Sequence, residues 1–166
     1  MMTQTDHTVY LHTGSNLGNR LQNLHRANAA IEARIGTIVR FSPVYVTAAW
    51  GIQEQPNFFN QALEVTTTLD PEAVLDAALQ IEADMGRQRG MKWSERLIDI
   101  DVLFYDQLVL QTEKLTLPHP WLHERRFVLA PLMDIAPDWI HPVFGVSIRR
   151  IFLDLKDFYF VKILTE

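Results

Sequence analysis

Arg96–Asp106 reads RLIDIDVLFYD, an apolar run interrupted by Asp99 and Asp101. Side chains of a strand alternate between its two faces, so residues two apart point the same way. If this run is a strand, the two carboxylates are neighbours on one face. Two like charges side by side in a half-buried site raise the pKa of one of them, and burying either without a partner costs several kcal/mol. A positive group is therefore expected opposite them.

The rest of the chain can be read outward from this strand, Leu97 to Tyr105. Upstream, Asp70-Pro71 opens a helix, with Asp as cap and Pro in the first turn. Val74, Leu75, Ala78, Ile81 and Met85 form its apolar stripe, and Gly86 ends it. Before it, Phe58–Leu69 is a strand with Phe59, Gln61, Leu63 and Val65 on one face and Phe58, Asn60, Ala62 and Glu64 on the other. Ala48–Pro56 reads as a loop, and Thr37–Thr47 as a strand in which Pro43 marks an edge or a bend. Leu17, Leu21, Leu24, Ala27, Ile31 and Ile35 repeat at helical steps, with Gly36 placed to end that helix. Thr8–Thr13 alternates as a first strand and stops at Gly14.

Downstream, Asp106-Gln107 is a turn into a short strand at Leu108–Gln111. Helices are expected from Leu122 to about Ile135 and over Ser147–Leu155. Strand, helix, strand, strand, helix, strand is the ferredoxin-like βαββαβ order, an α+β fold in which an antiparallel sheet has helices packed on one face. A mixed C-terminal extension follows. That fold hosts many unrelated functions, RNA binding among them.

At 166 residues the chain is read as one domain, 1–166, long enough to bury roughly 70% of its unfolded surface without disulfides or a structural metal. Cysteine is absent, which fits a reducing compartment. No apolar run approaches the roughly 18 residues that a membrane span needs, and no basic segment leads into an apolar one at the N-terminus. A cytoplasmic protein without a membrane partner is expected. The net charge of −5 argues against a general nucleic-acid binder, so an anionic ligand must be drawn by a local cluster.

Such a cluster is present. GRQRGMKWSER places Arg87, Arg89, Lys92 and Arg96 in one loop leading into the aspartate strand. Alone it reads as a solvated charged loop. Beside two same-face aspartates it suits a magnesium–polyphosphate complex, because magnesium takes one or two protein carboxylates plus phosphate oxygens while arginines clamp the phosphates. The plainer reading is that Asp99 and Asp101 pair with Arg96 and a neighbouring arginine and bind nothing. GSNLGN at Gly14–Asn19 could cradle phosphate at a helix N-terminus, but lacks both the P-loop ending and the dinucleotide fingerprint, so a turn with a helix cap is favoured.

In LPHPWLHERRF, Leu117–Phe127, Pro120 separates His119 from His123 and no cysteine is available, which disfavours zinc. His119 or Arg125 donating to an anion suits these residues better, with Phe127 offering a ring face. Phe58 and Phe127 default to core packing. Yet Phe58 and Asn60, on one strand face, could also present an aromatic surface and an amide to a flat heterocycle.

Several stretches, in order from about Val9 to Asp138, together resemble the 6-hydroxymethyl-7,8-dihydropterin pyrophosphokinase family of folate biosynthesis. They are GSNLG, SPVYVT followed by WGIQEQPNFFNQAL, IEADMGRQR, WSERLIDIDVLFYD and LTLPHPWLHERRFVLAPLMDIAPD. The most specific is Arg-x-x-Asp-x-Asp at Arg96, Asp99 and Asp101, supported by Pro118-His119 and by PNFFNQA.

The resemblance implies transfer of the terminal pyrophosphoryl unit of ATP to the pterin hydroxymethyl group, releasing AMP. It implies that Asp99 and Asp101 hold two magnesium ions, that Arg87 and Arg96 meet phosphate oxygens, and that Trp93 closes over the site on a loop. Glu82, Lys114, Thr116, His119 and Arg125 match positions near the nucleotide. The pterin is expected between the rings of Phe58 and Phe127, its polar edge read by Asn60 and by backbone groups around Thr47 and Ala49. A monomer is expected.

The chain departs from the family's pattern in four places. Ser94-Glu95 replaces a frequent Gly-Pro, and Ala48-Ala49 replaces prolines. Phe58 stands for a tyrosine, and the segment from Arg89 to Trp93 is short, which bears on Lys92. A non-catalytic RNA- or ligand-binding ferredoxin-like domain is the competing class, and the net acidity counts against it.

Overall fold

The computed structural model describes residues 4–48, 56–86, 97–157 and 159–165. Ala49, Arg87, Arg89, Lys92, Trp93 and Arg96 lie outside the described residues, so the expectations placed on them do too. The elements are β1 (His7–Ser15), α1 (Arg20–Arg34), β2 (Thr37–Phe41), β3 (Tyr45–Thr47), β4 (Phe58–Thr67), α2 (Pro71–Asp84), β5 (Asp99–Tyr105), β6 (Leu110–Gln111), β7 (Thr116–Leu117), a 3-10 turn (Leu122–Glu124), α3 (Arg126–Ile135), α4 (Ile148–Asp154) and β8 (Val161–Ile163).

The sheet runs β5-β1-β4-β3-β8, and β2 also pairs with β4. All of its pairings are antiparallel. β1 and β4 form its centre and β5 one edge, the arrangement expected of the ferredoxin-like order.

Thr37–Thr47 is two strands rather than one. Pro43 has no N–H to give a ladder, and at the break Ser42 takes over the pairing with β4. Its amide donates to the Ala62 carbonyl at 2.9 Å and its Oγ accepts from the Ala62 amide at 3.0 Å. Gln61 Nε2 donates to the Ser42 carbonyl at 2.8 Å, so both backbone groups of Ser42 are paired at the interruption.

Helix ends follow local chemistry. Asn19 caps α1 by accepting from the Gln22 amide, which starts the helix at Arg20 and leaves Leu17 outside it and exposed. Asp70 caps α2 by accepting from the Ala73 amide, with Pro71 in the first turn. Ser147 caps α4 through the Arg150 amide. Gly86 lies just past α2 with φ +92, a conformation that suits a residue without Cβ.

Both faces of the sheet are covered, whereas the ferredoxin-like order predicts helices on one face. Val9, Leu11, Leu63, Val65, Ile100 and Val102 pack under α1 and α2 with Leu24, Ile31, Val74 and Ile81. Tyr10, Ala62, Leu103 and Phe104 pack under α3 and α4 with Val128, Leu129, Leu132 and Ile151. A register shift between Tyr10 and Leu11 lets consecutive residues Leu103 and Phe104 both serve this second core. The C-terminal helices and β8 are thus integral to the sheet's second face and outer edge, because even-numbered β1 and β4 residues carry their own apolar set there.

Candidate active site

At the end of β1 the second face changes from apolar to polar. Gly14 lies opposite both Asn60 of β4 and Asp99 of β5, while His12 lies opposite Ala62 and Asp101. Thr47 of β3 lies opposite Phe58. One face therefore presents, from edge to edge, Asp99 and Asp101, then His12 and Gly14, then Phe58 and Asn60, then Thr47. Both aspartates are partly buried, and Asn60 and Thr47 are fully buried.

The Asn60 amide is oriented by its surroundings. Its Nδ2 donates to Thr47 Oγ1 at 2.5 Å. Gly14 leaves the room for its oxygen: a Cβ at position 14 would sit 2.7 Å from Asn60 Oδ1 and 3.5 Å from the Phe58 ring. β8 pairs with β3 directly behind Thr47, so the C-terminal segment braces this end of the face.

The other wall comes from the segment entering α3. The amide of His119 donates to the Leu103 carbonyl at 2.9 Å, which fastens this segment alongside β5. His119 Nδ1 accepts from the Trp121 amide at 3.2 Å. Nδ1 is thereby committed as an acceptor, and in the neutral ring the proton sits on Nε2. Burial, reinforced by the charge of Arg125, pulls His119 down to about 4, so this donor is uncharged at neutral pH.

Arg125 is partly buried. Burial lowers its pKa, while the negative charges of Asp101 and Glu124 act to raise it. Asp101 thus has a described cation across the site, as two same-face carboxylates require. The Arg125 guanidinium carbon stands 5.7 Å from the centre of the Phe127 ring. The first turn of α3 has no side-chain cap from its own N-cap residue. Instead Asp157, beyond α4, accepts from the Arg126 amide at 3.0 Å. Tyr45 of β3 donates to Asp134 of α3, which locks the helix over the strand that carries Thr47.

The structure thus brings Asp99, Asp101, Phe58, Asn60, Thr47, His119, Arg125 and Phe127 around one face. Three expected nucleotide residues lie beside it. Glu82, buried on α2, accepts from the Ile100 amide at 2.8 Å and so satisfies an edge donor of the aspartate strand. Thr116 is exposed on β7, in the small sheet beside β5. Exposed Lys114 donates to Asp76 at 3.1 Å, which raises its pKa. A separate cavity of about 1130 Å³, lined by Trp121, Phe144, Arg150 and Tyr159 among others, opens at Arg125 and contains neither aspartate.

His12 is not among the residues the sequence reading selects, and Gly14 enters it only as a strand stop and the start of GSNLGN. The signal for His12 was available: a histidine in the middle of an apolar alternating strand. Its ring is buried, and burial pulls it down to about 3, so it is neutral. Ser15, Asn16 and Asn19 of GSNLGN are committed to structure. Asn23 Nδ2 donates to Ser15 Oγ and to the Leu17 carbonyl, Asn16 Nδ2 donates to the Pro56 carbonyl, and Asn19 caps α1.

The fold of this sheet and its helices is shared with known structures. Plasmodium falciparum HPPK-DHPS superposes with a TM-score of 0.76 at 17% identity, over 90% of this chain and 45% of that one. At that identity the likeness establishes the fold, and this chain spans less than half of the solved one.

Sequence likeness carries the assignment further. Residues 10–137 match the family model of 7,8-dihydro-6-hydroxymethylpterin-pyrophosphokinase (HPPK), and the chain belongs to that family. The 2-amino-4-hydroxy-6-hydroxymethyldihydropteridine pyrophosphokinase of Aquifex aeolicus is 40% identical over 86% of this chain and 89% of its own length. The Haemophilus influenzae protein of the same name is 39% identical over 81% and 85%. The protein is a pyrophosphokinase that transfers pyrophosphate from ATP to 6-hydroxymethyl-7,8-dihydropterin in folate synthesis.

Proposed function

We propose that the pyrophosphoryl transfer takes place on the face bounded by Asp99 and Asp101 at one end and by Phe58, Asn60 and Thr47 at the other. The supporting observation is that β1 pairs with both strands at Gly14, bringing Asp99 and Asn60 to either side of one glycine. The pterin ring lies between Phe58 and Phe127, with Asn60 and backbone groups around Thr47 and Ala49 reading its polar edge. Its hydroxymethyl group then points toward the aspartates.

The donor set fits magnesium. Two partly buried carboxylates project from one strand face, and described residues hold no cluster of three or more His, Asp and Glu that would favour a fully protein-ligated ion. Asp99 and Asp101 would hold two magnesium ions together with ATP oxygens. Such ions, when bound, offset charge on the triphosphate and favour the attacking alkoxide. The chain's own groups supply position and charge. Arg125 faces the phosphates across from Asp101, His119 donates from Nε2 without adding charge, and Arg87 and Arg96 clamp transferred oxygens. Glu82 holds the aspartate strand at Ile100, and Lys114, Thr116 and Trp93 contact the nucleotide. Transfer of this kind rests on positioning and electrostatics rather than on a protein nucleophile.

We read the whole chain, 1–166, as one such domain acting as a cytoplasmic monomer. The return of β8 to the sheet edge supports one domain. No helix among the described residues is long and apolar enough to cross a membrane.

Asp99→Asn and Asp101→Asn test the site. With ATP, magnesium and the pterin, each is expected to lower AMP and pterin-pyrophosphate formation by on the order of 100-fold or more, while pterin binding alone stays intact. Undiminished turnover by the double variant would remove the aspartates from the mechanism.

A further inference from the structure

We propose that His12 is a positioning residue for the pterin subsite, holding the Phe127 carbonyl and thereby the placement of the Phe127 ring. This rests on the reading that Phe127 forms one side of the pterin slot.

The sequence of α3 leaves room for such a contact. A helical carbonyl accepts from the amide four residues on. For Phe127 that residue is Pro131, which lies inside the helix and has no N–H. Position 131 therefore offers the Phe127 carbonyl no amide, and His12 brings a donor to it from β1. His12 Nε2 stands 3.3 Å from that oxygen. A carbonyl only accepts, so Nε2 carries the proton and Nδ1 is bare. His12 also meets the Phe127 ring edge-on, with ring centres 5.8 Å apart at 62°. One imidazole thus bears on both the backbone and the ring of Phe127.

Two further observations mark His12 as more than core filling. Its side chain is buried, and among the described residues Nδ1 has no hydrogen-bond partner. A buried polar atom left unmatched calls for a reason at its position. The neighbour across β4 is Ala62, whose small side chain leaves space for the ring, and the neighbour across β5 is Asp101. His12 therefore links the strand beneath the aspartates to the residue above the pterin.

Asparagine and glutamine separate the two nitrogens. The Asn amide reaches about as far as Nδ1, and the Gln amide about as far as Nε2. His12→Asn is expected to raise the pterin KM about five- to tenfold, the scale of one misplaced aromatic contact, with the ATP KM unchanged. His12→Gln, which keeps a donor at the Phe127 carbonyl, is expected to restore the pterin KM. Thermal melts of both variants establish that they are folded. In a Phe127→Leu background, which itself raises the pterin KM, His12→Asn is expected to add nothing.

A fall in melting temperature with no selective change in pterin KM, or equal changes in both KM values, would reduce His12 to a packing role and overturn the proposal. If His12→Asn has no effect while Phe127→Leu weakens the pterin, the proposal alone fails. An unchanged pterin KM in Phe127→Leu would overturn both it and the assignment of Phe127.

Discussion

Gly14 and Asn60 face each other across β1 and β4 so closely that a Cβ at position 14 would lie 2.7 Å from Asn60 Oδ1, and the amide must shift to admit one. Glycine is needed here for approach rather than for an unusual backbone angle. Gly14→Ala must push the Asn60 amide aside and disturb its bond to Thr47. Loss of one such bond corresponds to about a three- to tenfold rise in the pterin dissociation constant. Fluorescence titration with the pterin checks this, with ATP-analogue affinity as the control that should not move. Unaltered pterin affinity would mean that Asn60 does not read the pterin.

Gly36 is a second such position, at the opposite end of the sheet. From the sequence it looked like the residue that ends α1. The helix does stop at Arg34, with Ile35 as its C-cap. The constraint on Gly36 is nevertheless the neighbouring strand, since a Cβ would fall 2.1 Å from the Thr66 carbonyl oxygen. Backbone cannot swing away as a side-chain tip can. Gly36→Ala is expected to destabilise the fold by about 3 kcal/mol, lowering Tm by roughly 6–12 °C. Calorimetry of the variant checks it, and a Tm within about 2 °C of the parent would show that β2 and β4 part without cost.

These two glycines illustrate what could be read from the sequence and what could not. Alternation along β4 assigned Phe58 and Asn60 to one face and Leu63 and Val65 to the other, and the structure keeps that division, because period-two burial is a local property. Asp99 and Asp101 were legible for the same reason. The pairing of Gly14 with both Asn60 and Asp99 was not, since register between distant strands is decided by tertiary packing. Nor was the second helical layer. The α3 segment shows as a helix in its own right, but which sheet face it covers depends on Tyr10, Ala62 and Phe104 forming a second core. The role of the C-terminal segment is equally non-local: Val161–Ile163 becomes a strand only because β3 offers it an edge. The role of His12 is not legible locally, because its partner is the Phe127 carbonyl, which lies far away along the chain.

The last expectation concerns acid. His141 is buried in the turn between α3 and α4, where its Nδ1 accepts from the Val143 amide at 3.2 Å and the Phe144 amide at 3.1 Å. Its ring stacks on Phe144 with centres 4.1 Å apart. Burial first, and the charge of His123 second, pull it from 6.5 to about 4. A protonated Nδ1 could no longer accept either amide. The folded state therefore holds His141 neutral where the unfolded chain would bind a proton. The stabilisation is fully present above pH 6.5 and is lost as pH falls through about 4. That interval corresponds to roughly 3 kcal/mol for one group. Buried His12 and partly buried His119, drawn down to about 3 and about 4, act in the same direction. Asparagine at 141 offers an oxygen near the Nδ1 position that accepts without titrating. His141→Asn is thus expected to lose less Tm than the parent between pH 7 and pH 4.5, even if it begins lower. Thermal melts across that range decide the matter: parallel curves for parent and variant would show that His141 takes up no proton on unfolding.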